Sequence, residues 1–268
     1  KTASMKASLS VWGEPEEIMA SFNATKVGLE RLAAFYSDLP LGIDERQVVG
    51  DKQGFVESLV YLLGLGKGKA RGSKGGGLQQ FNTWRTIALT TGEEPLSAEA
   101  STAGVKTRTL ELYGAPIPDE KLASKIHQGF SRNYGLAGPI FIRRLLKELD
   151  DDPEIFRTDY DAIFDELSKR SNDNITSHIS AVATVCMADY YASKWIFGTD
   201  DKEAFQQAME LAENVMGQLE TAADTDDGAR AYEYLISWIA EHHKRFEANA
   251  YPSQYGWQDD KYFYLFST

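Results

Sequence analysis

The chain has 268 residues and a formal net charge of −12, and 43% of its residues are hydrophobic. That length suits one large domain or two small ones, with apolar content enough for a real core. The acidic balance disfavours a protein that binds nucleic acid over its whole surface, and a single Cys excludes an intrachain disulfide. No run is long and apolar enough to span a membrane, and the default compartment is a reducing cytoplasm.

The chain opens on Lys1-Thr2, and Ala3 to Gly13 reads as a helix closed by glycine. Ile18 to Phe22 is a short apolar run that predicts a strand. Asn23-Ala24-Thr25 is a turn with Thr25 as N-cap, and Val27, Leu29, Leu32, Ala33 and Tyr36 recur at helical spacing. Leu39 to Ile43 then reads as a buried strand that ends in Asp44-Glu45. The order helix, strand, helix, acidic strand is that of a parallel α/β sheet. Open sheets of this kind bind ligands at the C-terminal edge of their strands, where these two acids emerge. In ATPases an Asp there helps hold Mg²⁺ and a neighbouring Glu orients the attacking water. Taken alone, the pair reads first as a strand running into a polar turn.

Gly54 to Leu63 predicts an amphipathic helix. It leads into Gly64–Gly77, a glycine-rich stretch with Lys67, Lys69, Arg71 and Lys74. Glycine supplies backbone freedom and the basic residues supply phosphate affinity. Two readings stand: a solvated loop, or a basic hairpin tip that touches nucleic acid backbone. Trp84 to Glu93 reads as a further buried strand ending in hydroxyls and an acid. Gly104 to Tyr113 reads as another, with Arg108 at its start, either a surface group or a finger reaching into a neighbouring subunit's site.

Beyond Pro116 and Pro118 the pattern turns helical, over about 119–132, 136–149, 153–170, 173–197, 201–218 and 227–248. Asp173 stands before one of these helices, and Gly198 closes it. Cys186 lies in an apolar run and reads as a packed thiol. The histidines make no metal pair, and His127 and His178 read as surface or boundary positions. Arg143 and Arg144 read as surface groups. The aromatic stretch from Tyr251 to Phe266 reads as a small hairpin turning at Asp259-Asp260, or as the start of a winged-helix-like module.

Several segments, in order, resemble the domain of unknown function 927 family. They are Lys-Thr-x7-Ser-Val-Trp-Gly, Phe-Asn-Ala-Thr-Lys-Val-Gly-Leu-Glu, Leu-Gly-Ile-Asp-Glu, the Gly-Lys-Gly-Lys-Ala-Arg-Gly loop and Trp-Arg-Thr-Ile-Ala-Leu-Thr-Thr-Gly-Glu. These are helicase-like ATPases of phages, plasmids and integrated mobile elements, similar to AAA+ hexameric helicases of the minichromosome-maintenance type. The resemblance is strongest from Lys1 to Tyr113. It implies an α/β fold of AAA+ or P-loop type, with a parallel sheet, flanking helices and the phosphate-loop strand missing. An all-helical lid and a C-terminal hairpin would follow. The implied divisions are 1–117 for the ATPase core, 118–250 for the lid and 251–268 for the hairpin.

The resemblance also implies roles. Lys1 and Thr2 would end the Walker A motif and bind ATP, with Thr2 and Asp44 as Mg²⁺ partners. Glu45 would be the water-orienting base, Thr90 or, by preference, Thr91 the first sensor, and Arg108 the trans-acting finger. Lys67, Lys69, Arg71 and Lys74 would point into a pore that holds single- or double-stranded DNA. Arg132 or Arg170 would be the lid's second sensor, with Arg170 preferred. The implied activity is an ATP-driven DNA helicase or translocase working as a homo-oligomeric ring. The Walker A glycines are not in this chain, so a piece of a longer protein, inactive alone, is expected. The alternative is a non-catalytic, degenerate AAA+ scaffold or DNA-binding module.

Overall fold

The computed structural model describes residues 2–45, 53–93, 95–97, 101–114, 117, 119–171, 174–219, 227–247, 253–259 and 261–266. Lys1, Pro116, Pro118, Asp173, Tyr251, Pro252 and Asp260, singled out above, lie outside the described residues. The chain forms two compact units, 1–221 and 222–268.

The first unit begins with α1 (Thr2–Leu9), α2 (Pro15–Ile18), β1 (Met19–Ser21), α3 (Lys26–Tyr36), β2 (Leu41–Asp44), α4 (Gln53–Leu65) and β3 (Ala88–Thr90). The three strands make one parallel sheet in the order β1-β2-β3. All four residues of the central strand are buried, as a strand covered on both faces requires. Its apolar run is therefore continuous and not alternating. Thr25 caps α3 as its sequence predicts, its hydroxyl accepting from the Gly28 N–H at 3.1 Å. Phe22, Leu29, Leu41, Ile43, Leu59 and Trp84 form the core beside the sheet.

Two glycines set the packing of α1. A Cβ on Gly42 would sit 2.5 Å from Leu9 Cδ1, so the helix lies directly on the central strand only because that position is bare. Just past this same end of α1 the chain docks on the start of α7 (Ala137–Asp151). The Gly135 and Gly138 N–H groups donate to the Ser10 and Val11 carbonyls at 2.8 and 3.0 Å. A Cβ on Gly138 would meet Trp12 Cε3 at 2.5 Å.

The strand expected from Gly104 to Tyr113 is not formed. Ala103–Lys106 is a helical turn, α5, and the described sheet has three strands. The threonines explain it. Thr107 Oγ1 donates back to the Gly104 carbonyl, and Thr109 Oγ1 to those of Val105 and Lys106. Such local bonds give the backbone an alternative to a ladder.

The helical part contains α6 (Glu120–Phe130), α7, α8 (Ile155–Arg170), α9 (Thr176–Ala192) with a wider turn over Ser193–Phe197, and α10 (Asp201–Met216). Helices α8, α9 and α10 pack around Leu167, Val182, Ala183, Cys186, Ala208 and Ala212. Small residues at these contacts let the helices approach closely. Gly198 closes α9 at φ 71°, the left-handed cap its sequence predicts. Burial pushes the Cys186 thiol up to about 11, so it stays protonated and inert near neutrality.

The second unit holds α11 (Asp227–Glu241), a tight turn at His243–Phe246, and the antiparallel pair β4 (Gly256–Gln258) and β5 (Phe263–Leu265). Asp259 Oδ1 accepts the Lys261 and Tyr262 N–H groups at 2.8 Å and shapes the hairpin turn. Trp257 and Tyr264 stack across it at 3.9 Å.

Replacing Gly42 with Ala is expected to lower stability by about 1–3 kcal/mol, the usual cost of overpacking. Adding Leu9→Ala to that variant should recover part of the loss. Denaturant midpoints of the two single variants and the double variant check this: simple additivity would break the proposed contact.

Candidate functional site at the C-terminal rim of the sheet

Strand register assembles the site. Ser21 pairs with Asp44 and Ile43 with Thr90. One step further along, Asp44 therefore faces Thr91. The Thr91 hydroxyl donates to Asp44 Oδ1. From the first turn of α1, the Thr2 hydroxyl faces the same carboxylate. Asp44 is 6% exposed. Burial alone would raise its pKa. The hydrogen bonds from Thr91, the Glu45 N–H and Thr2, together with the charge of Lys6, outweigh that and hold it below the ordinary carboxylate value. The result is a buried carboxylate that stays ionised beside two hydroxyls.

Glu45 follows in the left-handed region, at φ 65°. For a residue with a Cβ this costs on the order of 1 kcal/mol, and such strain collects at functional sites. The Ser21 hydroxyl donates to Glu45 Oε2 at 3.3 Å. Thr2, Asp44, Glu45 and Thr91 thus share one rim, while Lys1 lies outside the described residues. Hard oxygen donors around an ionised carboxylate suit Mg²⁺. Among the described residues no cluster of three or more His, Cys, Asp or Glu offers another metal site.

Sequence reading missed Ser21 and Lys6. Both had a signal: Ser21 ends a strand that pairs with the acidic one, and Lys6 is four residues from Thr2 on one helical face.

The basic stretch is a hairpin, bridged at Lys67–Thr83 and at Gly72–Leu78. Its Arg71 arm is clamped to α3. Arg71 makes a two-pronged pair with Glu30 at 2.7 and 2.8 Å, and Asn82 Nδ2 donates to the same carboxylate at 3.3 Å. Glu30 is buried, and the Arg71 hydrogen bonds hold its pKa below the ordinary 4.5. Arg71 is therefore committed within the chain. Lys67, Lys69 and Lys74 are exposed, with the Lys67 ammonium 4.2 Å from the centre of the Phe81 ring.

Arg108 is elsewhere. It leans on Gly64 in the last turn of α4, next to Leu63, whose carbonyl accepts from Trp84 Nε1 at 3.0 Å. The chain from Trp84 to Ile87 runs along the N-terminal rim, where Arg85 and Leu41 are bonded to Ser37 and Ile87. Arg108 and Asp44 of one chain thus sit at opposite rims of the sheet. The segment bearing Arg108 is tied to the helices by Ser177 Oγ to the Thr107 carbonyl, His178 Nε2 to the Lys106 carbonyl and the Tyr113 N–H to Gln218 Oε1. His178, expected at a surface or boundary position, is buried by this tether. Arg170 is held by Glu166 and Glu213 between α8 and α10. Arg132, Arg143 and Arg144 are exposed.

Residues 1–83 match the family model described as domain of unknown function (DUF927). The resemblance read from the sequence is met over that stretch, which runs from α1 through the basic hairpin. A solved structure described as "SCCmec type IV Cch - active helicase" superposes on 97% of this chain, with a TM-score of 0.70 and 19% sequence identity. The chain spans about half of that structure, 49% of its length. No curated protein matches the chain. At such low identity the likeness establishes a shared fold. No described helix is long and apolar enough to cross a membrane.

Arg71→Ala should lower the unfolding midpoint at neutral pH, because it strands the buried Glu30 carboxylate. The folded-state pKa of Glu30 lies below 4.5, so the pair's contribution is full above that value and disappears as pH falls through the lowered one. Melting curves of wild type and variant should therefore converge in acid; a constant gap would remove Glu30 as the cause.

Proposed function

We propose that this chain is the core and lid of an ATP-driven DNA helicase or translocase of AAA+ type, acting in a homo-oligomeric ring. The reading extends to a replication protein of a phage or mobile element. The observation that carries it is the buried, ionised Asp44 at the C-terminal rim of a parallel sheet, faced by the Thr2 and Thr91 hydroxyls. Residues 1–117 would be the ATPase core, 118–250 the lid and 251–268 a closing hairpin.

In this reading Thr2 and Asp44 hold Mg²⁺, which when bound neutralises charge on the triphosphate. Lys1 would contact the terminal phosphates. Glu45, oriented by Ser21, accepts a proton from the attacking water. Thr91 helps keep Asp44 ionised and would serve as the first sensor. Arg108 lies at the rim opposite Asp44, which supports a role in a neighbouring subunit's site and not in its own. Lys67, Lys69 and Lys74 project from the hairpin toward DNA, while Arg71 pins its arm of the hairpin to Glu30. Arg170 as second sensor would have to leave Glu166 and Glu213. The work would take place in the cytoplasm.

In the complete protein, Glu45→Gln should cut ATP turnover by at least about 100-fold while nucleotide affinity stays within about twofold. Unchanged turnover would favour a non-catalytic scaffold. Lys69→Ala with Lys74→Ala should flatten the salt dependence of DNA binding, by a slope of up to about 2 on duplex. An unaltered slope in a titration of affinity against salt would take the hairpin away from DNA.

A further inference from the structure

Arg108 does not hang free in solvent. Its guanidinium carbon lies 5.2 Å from the centre of the Tyr61 ring, and Nη1 donates to the Gly104 carbonyl at 2.6 Å. Two glycines make room for this arrangement. A Cβ on Gly64 would sit 3.1 Å from Arg108 Cδ, and one on Gly104 would sit 2.4 Å from the Tyr61 hydroxyl and 3.3 Å from Arg108 Nη1. The Tyr61 hydroxyl is itself bonded to Thr102 Oγ1 at 2.9 Å. Thr102 stands at the start of α5 but makes no side-chain capping bond there, so its hydroxyl serves Tyr61 instead. The arginine is seated in a trough built from α4 and α5.

The trough's position gives it a second meaning. Tyr61 is four residues before Leu65, the end of α4, about 6 Å along the helix axis. Gly66 then turns the chain at φ 63° directly into Lys67 and the basic hairpin. A Cβ on Gly66 would lie 2.8 Å from the Trp84 carbonyl oxygen, so the junction is tight. One rigid helix therefore ends in the hairpin and carries the ring against which Arg108 lies.

We propose that Tyr61 is a positioning residue for Arg108, and that α4 links the engagement of DNA at the hairpin to the reach of that arginine. This rests on the reading of Arg108 as a finger given above. A shift of α4 when the hairpin meets phosphates moves the Tyr61 face, and the guanidinium, held there by cation–π attraction and one carbonyl, moves with it or is released. The hairpin and the arginine thus meet at the same last turns of α4.

The test uses the complete protein and three substitutions. Tyr61→Leu removes the ring, Tyr61→Phe keeps it, and Arg108→Ala removes the cation. In thermal unfolding, Tyr61→Leu and Arg108→Ala should combine non-additively, since each abolishes the same contact. In ATP turnover, Tyr61→Leu should lower the DNA-stimulated kcat about fivefold to tenfold, with KM for ATP and Kd for DNA within about twofold. Tyr61→Phe should recover most of that loss. Strict additivity, an equal loss with and without DNA, or a Phe variant no better than Leu would each overturn the proposal. Wild-type protein that fails to hydrolyse ATP would overturn it by a different route, through the finger role itself. The unfolding cycle, which needs no activity, tells the two failures apart.

Discussion

A carboxylate kept charged out of water is the constraint around which the first unit is arranged. Burying Asp44 costs free energy that only well-placed donors can offset. Those donors come from three separate places: the start of α1, the residue after β3, and the backbone one step beyond β2. They meet only if the strands are parallel and in the observed register. A slip of one residue would turn the side chains to the opposite face and part Thr91 from Asp44. The left-handed backbone at Glu45 belongs to the same arrangement, since the chain must leave the strand there abruptly.

Charge in this molecule is divided between fixing and reaching. Arg71 and Arg170 look like functional cations by composition, but both are engaged by carboxylates of the same chain. Lys69 and Lys74 extend into solvent on either side of Arg71, which pins its arm of the hairpin to Glu30. A planar guanidinium suits the two-pronged pair with Glu30, and flexible ammonium groups suit a moving polyanion. The hairpin is thus held by its guanidinium while its ammonium groups face solvent.

Much of this was legible in the chain. The buried strand ending in Asp44-Glu45, the Thr25 cap, the helix into the glycine-rich stretch and the close of α9 at Gly198 all rest on local signals: apolar runs, capping chemistry and left-handed glycine. The stretch around Arg108 was misread, because β-branched residues that favour strands bonded back to their own preceding carbonyls. Glu30 was invisible for another reason. It lies on an otherwise ordinary helix face, and only the return of the hairpin gives it Arg71 and Asn82. His178 likewise gained its place from a carbonyl 72 positions away. Long-range polar pairing of this kind leaves no periodic trace in a sequence.

The docking of Trp12 against Gly138 makes α1 a strut. One end of this short rod, about 12 Å long, abuts the helices at Gly135 and Gly138; the other presents Thr2 to Asp44. At the docked end itself, Leu9, the last residue of α1, rests on the bare Gly42. The residues that meet α7 and those that meet the central strand are neighbours in the chain, so α1 is fixed at its C-terminal end and carries the Thr2 hydroxyl to Asp44 from its N-terminal end. The helical half and the acidic rim are thereby joined through the eight residues of α1.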